Sequence, residues 1–222
     1  MAHLARSRAI QWGMSPRSLQ AWKAYAASSL LFVVVFLGVY PACNYLTAHR
    51  TTTWALYYSW ELGIPFVPIF IWAYLSMLLL WPIQPLVLGP REIWRLTQRM
   101  LTATLVSGLC FLILPARLGF PRQIPDGLFL ASLYHGLFRL DHPHNLVPSL
   151  HVANSALILF AFMSRATRPW LRVLWAAWLI LIAASTLLVH QHHLLDVISG
   201  LGLAALIHTY LPLSGPSLGQ AK

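Results

Sequence analysis

The residues best equipped for chemistry in this chain are histidines and one isolated acid. Seven of the ten histidines (His135, His142, His144, His151, His190, His192 and His193) gather in or beside the segments joining apolar stretches on what the charge pattern makes one membrane face. Asp196 is the one acid expected inside an apolar span. A carboxylate in lipid is costly unless paired, which makes it a functional candidate. His192 lies four residues before it, a spacing that puts both on one helical face. A carboxylate there accepts the imidazole Nδ1–H and leaves Nε2 as base or nucleophile. The bland alternative is a His–Asp pair that only joins helices. His193 needs a different geometry to reach Asp196, so His192 is preferred, with a swap left open.

A second cluster is Pro148-Ser149-Leu150-His151. Proline suits a first helical turn and serine suits its cap. A helix start offers free N–H groups and a positive dipole end, which favours phosphate. His151 falls one turn in, aimed at an anion held there. Read alone, the segment is an ordinary cap with an interfacial histidine; read with His192 and Asp196, it is half of a site. Arg117 and Arg122 carry positive charge to the same face. Guanidinium groups clamp phosphate oxygens well, although lipid headgroups would also explain them. His142 and His144 border this region, as site neighbours or as plain loop residues.

These groups need a frame, and composition says which kind. The 222 residues are 58% hydrophobic and only 9% charged, with a mean hydropathy of +0.65. Soluble domains carry about 25% charged residues. Six apolar stretches approach the length of a membrane span, at 24–44, 64–81, 99–115, 148–164, 172–189 and 193–211. Their length and lack of period-2 alternation exclude a barrel. The expected fold is therefore an all-α integral membrane protein, a six-transmembrane-helix bundle with short loops and one longer outer loop. It forms a single membrane domain over 1–222: a cytoplasmic segment 1–23, a bundle 24–211 and a cytoplasmic tail 212–222. The first span reads as an uncleaved helix.

Eleven of the fifteen Lys and Arg residues fall on the side shared by the termini; Arg50, Arg117, Arg122 and Arg139 fall on the other. The positive-inside rule makes the termini cytoplasmic and the histidine-rich face external. The same rule accounts for the net charge of +10 without nucleic acid. Residues 82–98 read as a cytoplasmic loop ending in a short amphipathic turn. Within the outer loop 116–147, residues 126–138 read as an interfacial helix. Cys43 and Cys110 stand in no metal-ligand spacing and read as two structural thiols.

Pro148-Ser149-Leu150-His151 followed by Ser185-Thr186, five residues, His192, three residues and Asp196 resembles the type 2 phosphatidic acid phosphatase superfamily. That family's second motif reads P-S-G-H and its third S-R-x5-H-x3-D. Leu150 and the segment HHLLDVISG are closer to its lipid phosphotransferase branch, which includes inositol phosphorylceramide synthases. The resemblance covers roughly residues 110–205. It implies that His192 attacks phosphorus, Asp196 orients it and His151 protonates the leaving group, with no metal and no cofactor. Thr186 stands where the motif carries arginine. The K-x6-R-P motif is absent as such, and residues 115–122 are its nearest counterpart. Phosphate binding then falls to Ser149 and Arg117, next to Arg122, with Ser185 at the border. The expected activity is a lipid phosphate phosphatase in a bacterial inner membrane, with the bilayer and a lipid phosphate as partners. Transfer to an acceptor alcohol is the first alternative. A non-catalytic lipid-binding or transport protein is the second, and a histidine-rich metal or haem protein the last.

Overall fold

The computed structural model describes residues 16–140 and 143–213. Its helices are α1 (Pro16–Ala48), α2 (Pro68–Val87), α3 (Pro90–Ile113), α4 (Leu128–Leu140), α5 (Leu150–Arg165), α6 (Pro169–Leu188) and α7 (Leu194–Tyr210), with a 3-10 turn over Ser59–Gly63. No strand occurs among the described residues; an isolated bridge joins Trp54 to Ala116.

Among the described residues, four helices are long and apolar enough to cross a membrane: α1 from Ser18, α2, α3 and α6. The other two expected spans, α5 and α7, have 16 and 17 residues. At 1.5 Å per residue, α5 reaches only about 24 Å, short of a hydrocarbon core of about 30 Å. The six-span expectation is thus met by length for four helices, and α5 and α7 are shorter apolar helices. Burial supplies the reason. Residues Leu150 and Val152 through Leu159 of α5 are all buried, as are Ala161 and Phe162, so protein rather than lipid surrounds it.

Prolines explain where α2 departs from a plain helix. A proline ring clashes with the carbonyl four residues earlier and removes a helical N–H. Pro82 points this constraint at Leu78, and Ser76–Leu79 is a 3-10 segment. The expected loop 82–98 is mostly helix instead. The break is confined to Leu88 and Gly89, after which Pro90 at the first helical position starts α3 and Glu92 accepts the Gly89 N–H at 2.8 Å. Residues 90–98 are polar enough to look like a loop, yet Ile93, Leu96 and Thr97 are buried along one face.

Helix α1 packs mainly against α3, while α5 packs against α3, α6 and α7. Apolar burial drives little association in lipid, so close approach of small residues counts. Gly108 shows this: a Cβ there would lie 2.7 Å from Val39 Cγ1 of α1. Cys43 is buried at the same contact, and both cysteines are free thiols. At one end of the bundle, the Glu92–Arg165 ion pair ties α3 to α5. Arg99 donates to the Leu211 and His208 carbonyls there, satisfying the end of α7. The opposite end holds the 3-10 turn, α4 and the 189–193 connection. A helix does form at the expected stretch 126–138: it is α4, entered through Gly127 at φ +91° and fixed by a fully buried Tyr134.

Candidate active site

Helix α6 ends at Leu188 and α7 begins at Leu194, so five residues make the turn. Thr186 O accepts both the Gln191 N–H (3.0 Å) and the His192 N–H (3.1 Å). His190 takes a left-handed φ of +57° to allow it. Asp196 occupies the third position of α7 and reaches back, as an N-cap partner does. Its Oδ2 accepts the His193 N–H at 2.8 Å and stands 3.1 Å from His192 Nδ1. Both side chains are buried. The carboxylate accepts from Nδ1, which leaves the lone pair on Nε2.

His151 lies in the first turn of α5, behind a Ser149 cap whose Oγ accepts the Val152 N–H at 3.3 Å. The Ser149 N–H donates to Asp196 O at 3.0 Å, joining the starts of α5 and α7. Gly200 makes the contact possible, because a Cβ there would fall 2.7 Å from Ser149 O. The His151 ring stacks on Tyr74 of α2, with centroids 3.9 Å apart and planes at 16°. It also hydrogen-bonds the Tyr74 backbone and lies close enough to His192 for their charges to interact. Its Nε2 is buried and has no hydrogen-bond partner among the described residues.

The structure therefore brings His151, His192, Asp196 and Ser149 together. Other expected site residues make contacts of their own. Ser185 is fully buried in α6, with its hydroxyl bonded to Ile182 O at 2.6 Å. Thr186 is likewise turned back, onto Ala183 O at 2.8 Å. Arg122 donates to Phe138 O at 2.9 Å and lies over the Phe138 ring, so it binds α4. Arg117 is exposed on a turn whose backbone is clamped: Trp54 N–H donates to Pro115 O (2.7 Å), and Arg117 N–H to Trp54 O (2.9 Å). His144 is half-buried in the connection leading to α5, and His142 lies outside the described residues.

Two participants escape sequence reasoning, Glu61 and Tyr74, and His193, weighed there only as a substitute for His192, takes a place of its own. Glu61 is fully buried in the 3-10 turn; its Oε1 accepts the Tyr58 N–H and its Oε2 the Leu194 N–H, each at 2.8 Å. That reading sought acids inside spans, and Glu61 sits between them. The available signal was its rarity, since the chain has five acids in all. His193 Nε2 accepts the Gly119 N–H at 3.0 Å, and its Nδ1 faces Glu61 Oε2 at 3.4 Å. His190 donates toward Ile64 O at 2.9 Å, and burial pushes its pKa below the ordinary value, keeping the ring neutral. Burial pushes the Tyr134 hydroxyl up to about 12 while it donates to Pro68 O. Among the described residues, no group of three or more His, Cys, Asp or Glu side chains is arranged to hold a metal ion.

The arrangement is an imidazole oriented by a carboxylate, a second imidazole with a free nitrogen beside it, and a helix start between them. It suits nucleophilic displacement at phosphorus with acid assistance. Comparison with curated proteins gives no match. Residues 96–216, more than half of the chain, match the family model of the PAP2 superfamily and include all four assembled residues, so the protein belongs to that superfamily.

Proposed function

We propose that the protein is a lipid phosphate phosphatase that works through a phosphohistidine. Membership of the superfamily supports phosphatase or related phosphotransferase chemistry on a lipid-like substrate. One observation carries the finer reading: His192, oriented by Asp196, and His151, with an unpartnered buried nitrogen, are held together by the Ser149–Asp196 backbone bond. His192 Nε2 attacks phosphorus, and the bond to the lipid oxygen breaks. A protonated His151 gives its proton to that oxygen. Water, giving a proton to the now neutral His151, then attacks the phosphohistidine; the P–N bond breaks, inorganic phosphate leaves, and both histidines return to their starting state. Arg117, Ser149 and the first N–H groups of α5 bind the phosphate oxygens.

In this reading α5 and α7 complete a six-span bundle inside their longer neighbours. The termini are cytoplasmic and the site faces outward, in a bacterial inner membrane, where a headgroup meets the histidines while its tail stays in lipid. Transfer shares the first half-reaction and replaces water with an alcohol. Leu150 and Thr186, which depart from the phosphatase motifs, keep that second reading in view. The test offers a panel of lipid phosphates and phosphodiesters, with and without alcohols, to wild type and His192→Ala. Phosphate release by wild type and none by His192→Ala is the expected result. Wild-type turnover by the variant would remove His192 as nucleophile, and a new phosphodiester product without phosphate release would favour transfer.

A further inference from the structure

Glu61 and His193 form a second buried acid–imidazole pair beside the first, and the reaction just described does not use it. Glu61 has no exposed surface, and His193 is 1% exposed. The Gly119 N–H donates to His193 Nε2, so that nitrogen carries a lone pair. The proton of the neutral ring is therefore on Nδ1, which faces Glu61 Oε2 at 3.4 Å. Rotation is blocked on both faces. Tyr57 stacks at 4.3 Å and 15°, and Phe120 at 4.4 Å and 12°; Phe120 also stacks on His190 at 4.0 Å. Gly119 fits this stack because it lacks a side chain: a Cβ there would lie 2.4 Å from the Tyr57 ring.

The turn 115–122 carries Arg117. Two bonds to Trp54 hold its start, and His193 holds its far side at Gly119. His193 is covalently next to His192. The cation proposed to bind phosphate and the nucleophile are thus tied to adjacent residues, through an imidazole that receives from the turn and turns its Nδ1 toward a buried acid. Both Glu61 oxygens are engaged by protein groups, so the acid acts through His193 and not on substrate.

We propose that Glu61 and His193 are positioning residues that set the Arg117 turn against His192 and so determine affinity for the phosphate group. The proposal rests on the phosphatase reading for its substrate, but its test does not depend on turnover. Binding of inorganic phosphate to the purified full chain is measured calorimetrically, beside KM and kcat for a lipid monophosphate. Glu61→Gln and His193→Asn should each weaken phosphate binding and raise KM by about ten-fold, equivalent to 1.4 kcal/mol, while kcat changes far less. His193→Gln should recover most of the affinity, since its carboxamide reaches the Nε2 position and can accept the Gly119 N–H. Asn and Gln lose the same ring stacking, so general misfolding would affect both alike. In an Arg117→Gln background, Glu61→Gln should add almost nothing, because the two act on one contact. Equal losses for Asn and Gln, full additivity with Arg117→Gln, unchanged phosphate affinity in Glu61→Gln, or no saturable phosphate binding by wild type would each overturn the proposal. Phosphate binding that follows this pattern, in a wild type without turnover, would uphold the positioning and sink the enzymatic reading alone.

Discussion

A single oxygen of Asp196 does two things: it caps α7 through the His193 N–H and orients His192 through Nδ1. The two can be separated. Asp196→Asn can keep an oxygen acceptor in place but loses the negative charge that supports a developing imidazolium. In phosphate-release assays its kcat should fall by roughly 10²-fold or more, with thermal stability near wild type. Asp196→Ala loses the cap as well and should also cost about 1 kcal/mol of stability in detergent. Full activity in the Asn variant would show that charge plays no part. The His192–Asp196 pair was legible from spacing alone, although for the wrong local reason. His192 precedes α7 rather than lying on its face, and the reach is that of a helix cap. His151 was legible because proline and serine announce a helix start. Glu61 was not, because it meets Leu194 across 133 residues of chain and no local pattern encodes that distance. The bond of Arg122 to the Phe138 carbonyl was not legible either, because a backbone acceptor leaves no trace in residue type.

Helices were read best where apolar length alone decides them. The starts of α6 and α7 and the place of α4 fell within a few residues of expectation. Boundaries failed where polarity misleads: α3 begins at Pro90 rather than near 99 because its first turns are amphipathic and packed, not solvated. The decisive contact between elements is the approach of α7 to α5 at Gly200. Gly200→Ala forces its methyl into Ser149 O and must part the two helices that carry His192 and His151. A stability loss of about 1–3 kcal/mol by thermal unfolding in detergent is expected, with a larger proportional loss of turnover. Retained stability and turnover together would mean the helix starts adjust freely, and the rigidity assigned to this pair would be wrong.

For the whole molecule, the site residues lie at one end, and the Glu92–Arg165 and Arg99–Leu211 ties lie at the other. The cation count predicts that the first end is external, and cysteine labelling tests this. Cys43 is buried, and a Cys110→Ala background removes the partly exposed thiol. In that background, Leu128→Cys on α4 should react with a membrane-impermeant maleimide on intact cells, and Thr167→Cys between α5 and α6 only after permeabilisation. The reverse pattern would invert the assigned topology.

Helix α5 is too short to match a bilayer and is enclosed by α3, α6 and α7, whereas α1 and α6 present most of their apolar windows outward. Hydrophobic mismatch is therefore absorbed by the outer helices, through tilt or local change in lipid thickness. The depth of His151 is set by side-chain packing instead. Bilayers of different thickness can strain the rim of this protein while the spacing of its two histidines stays the same.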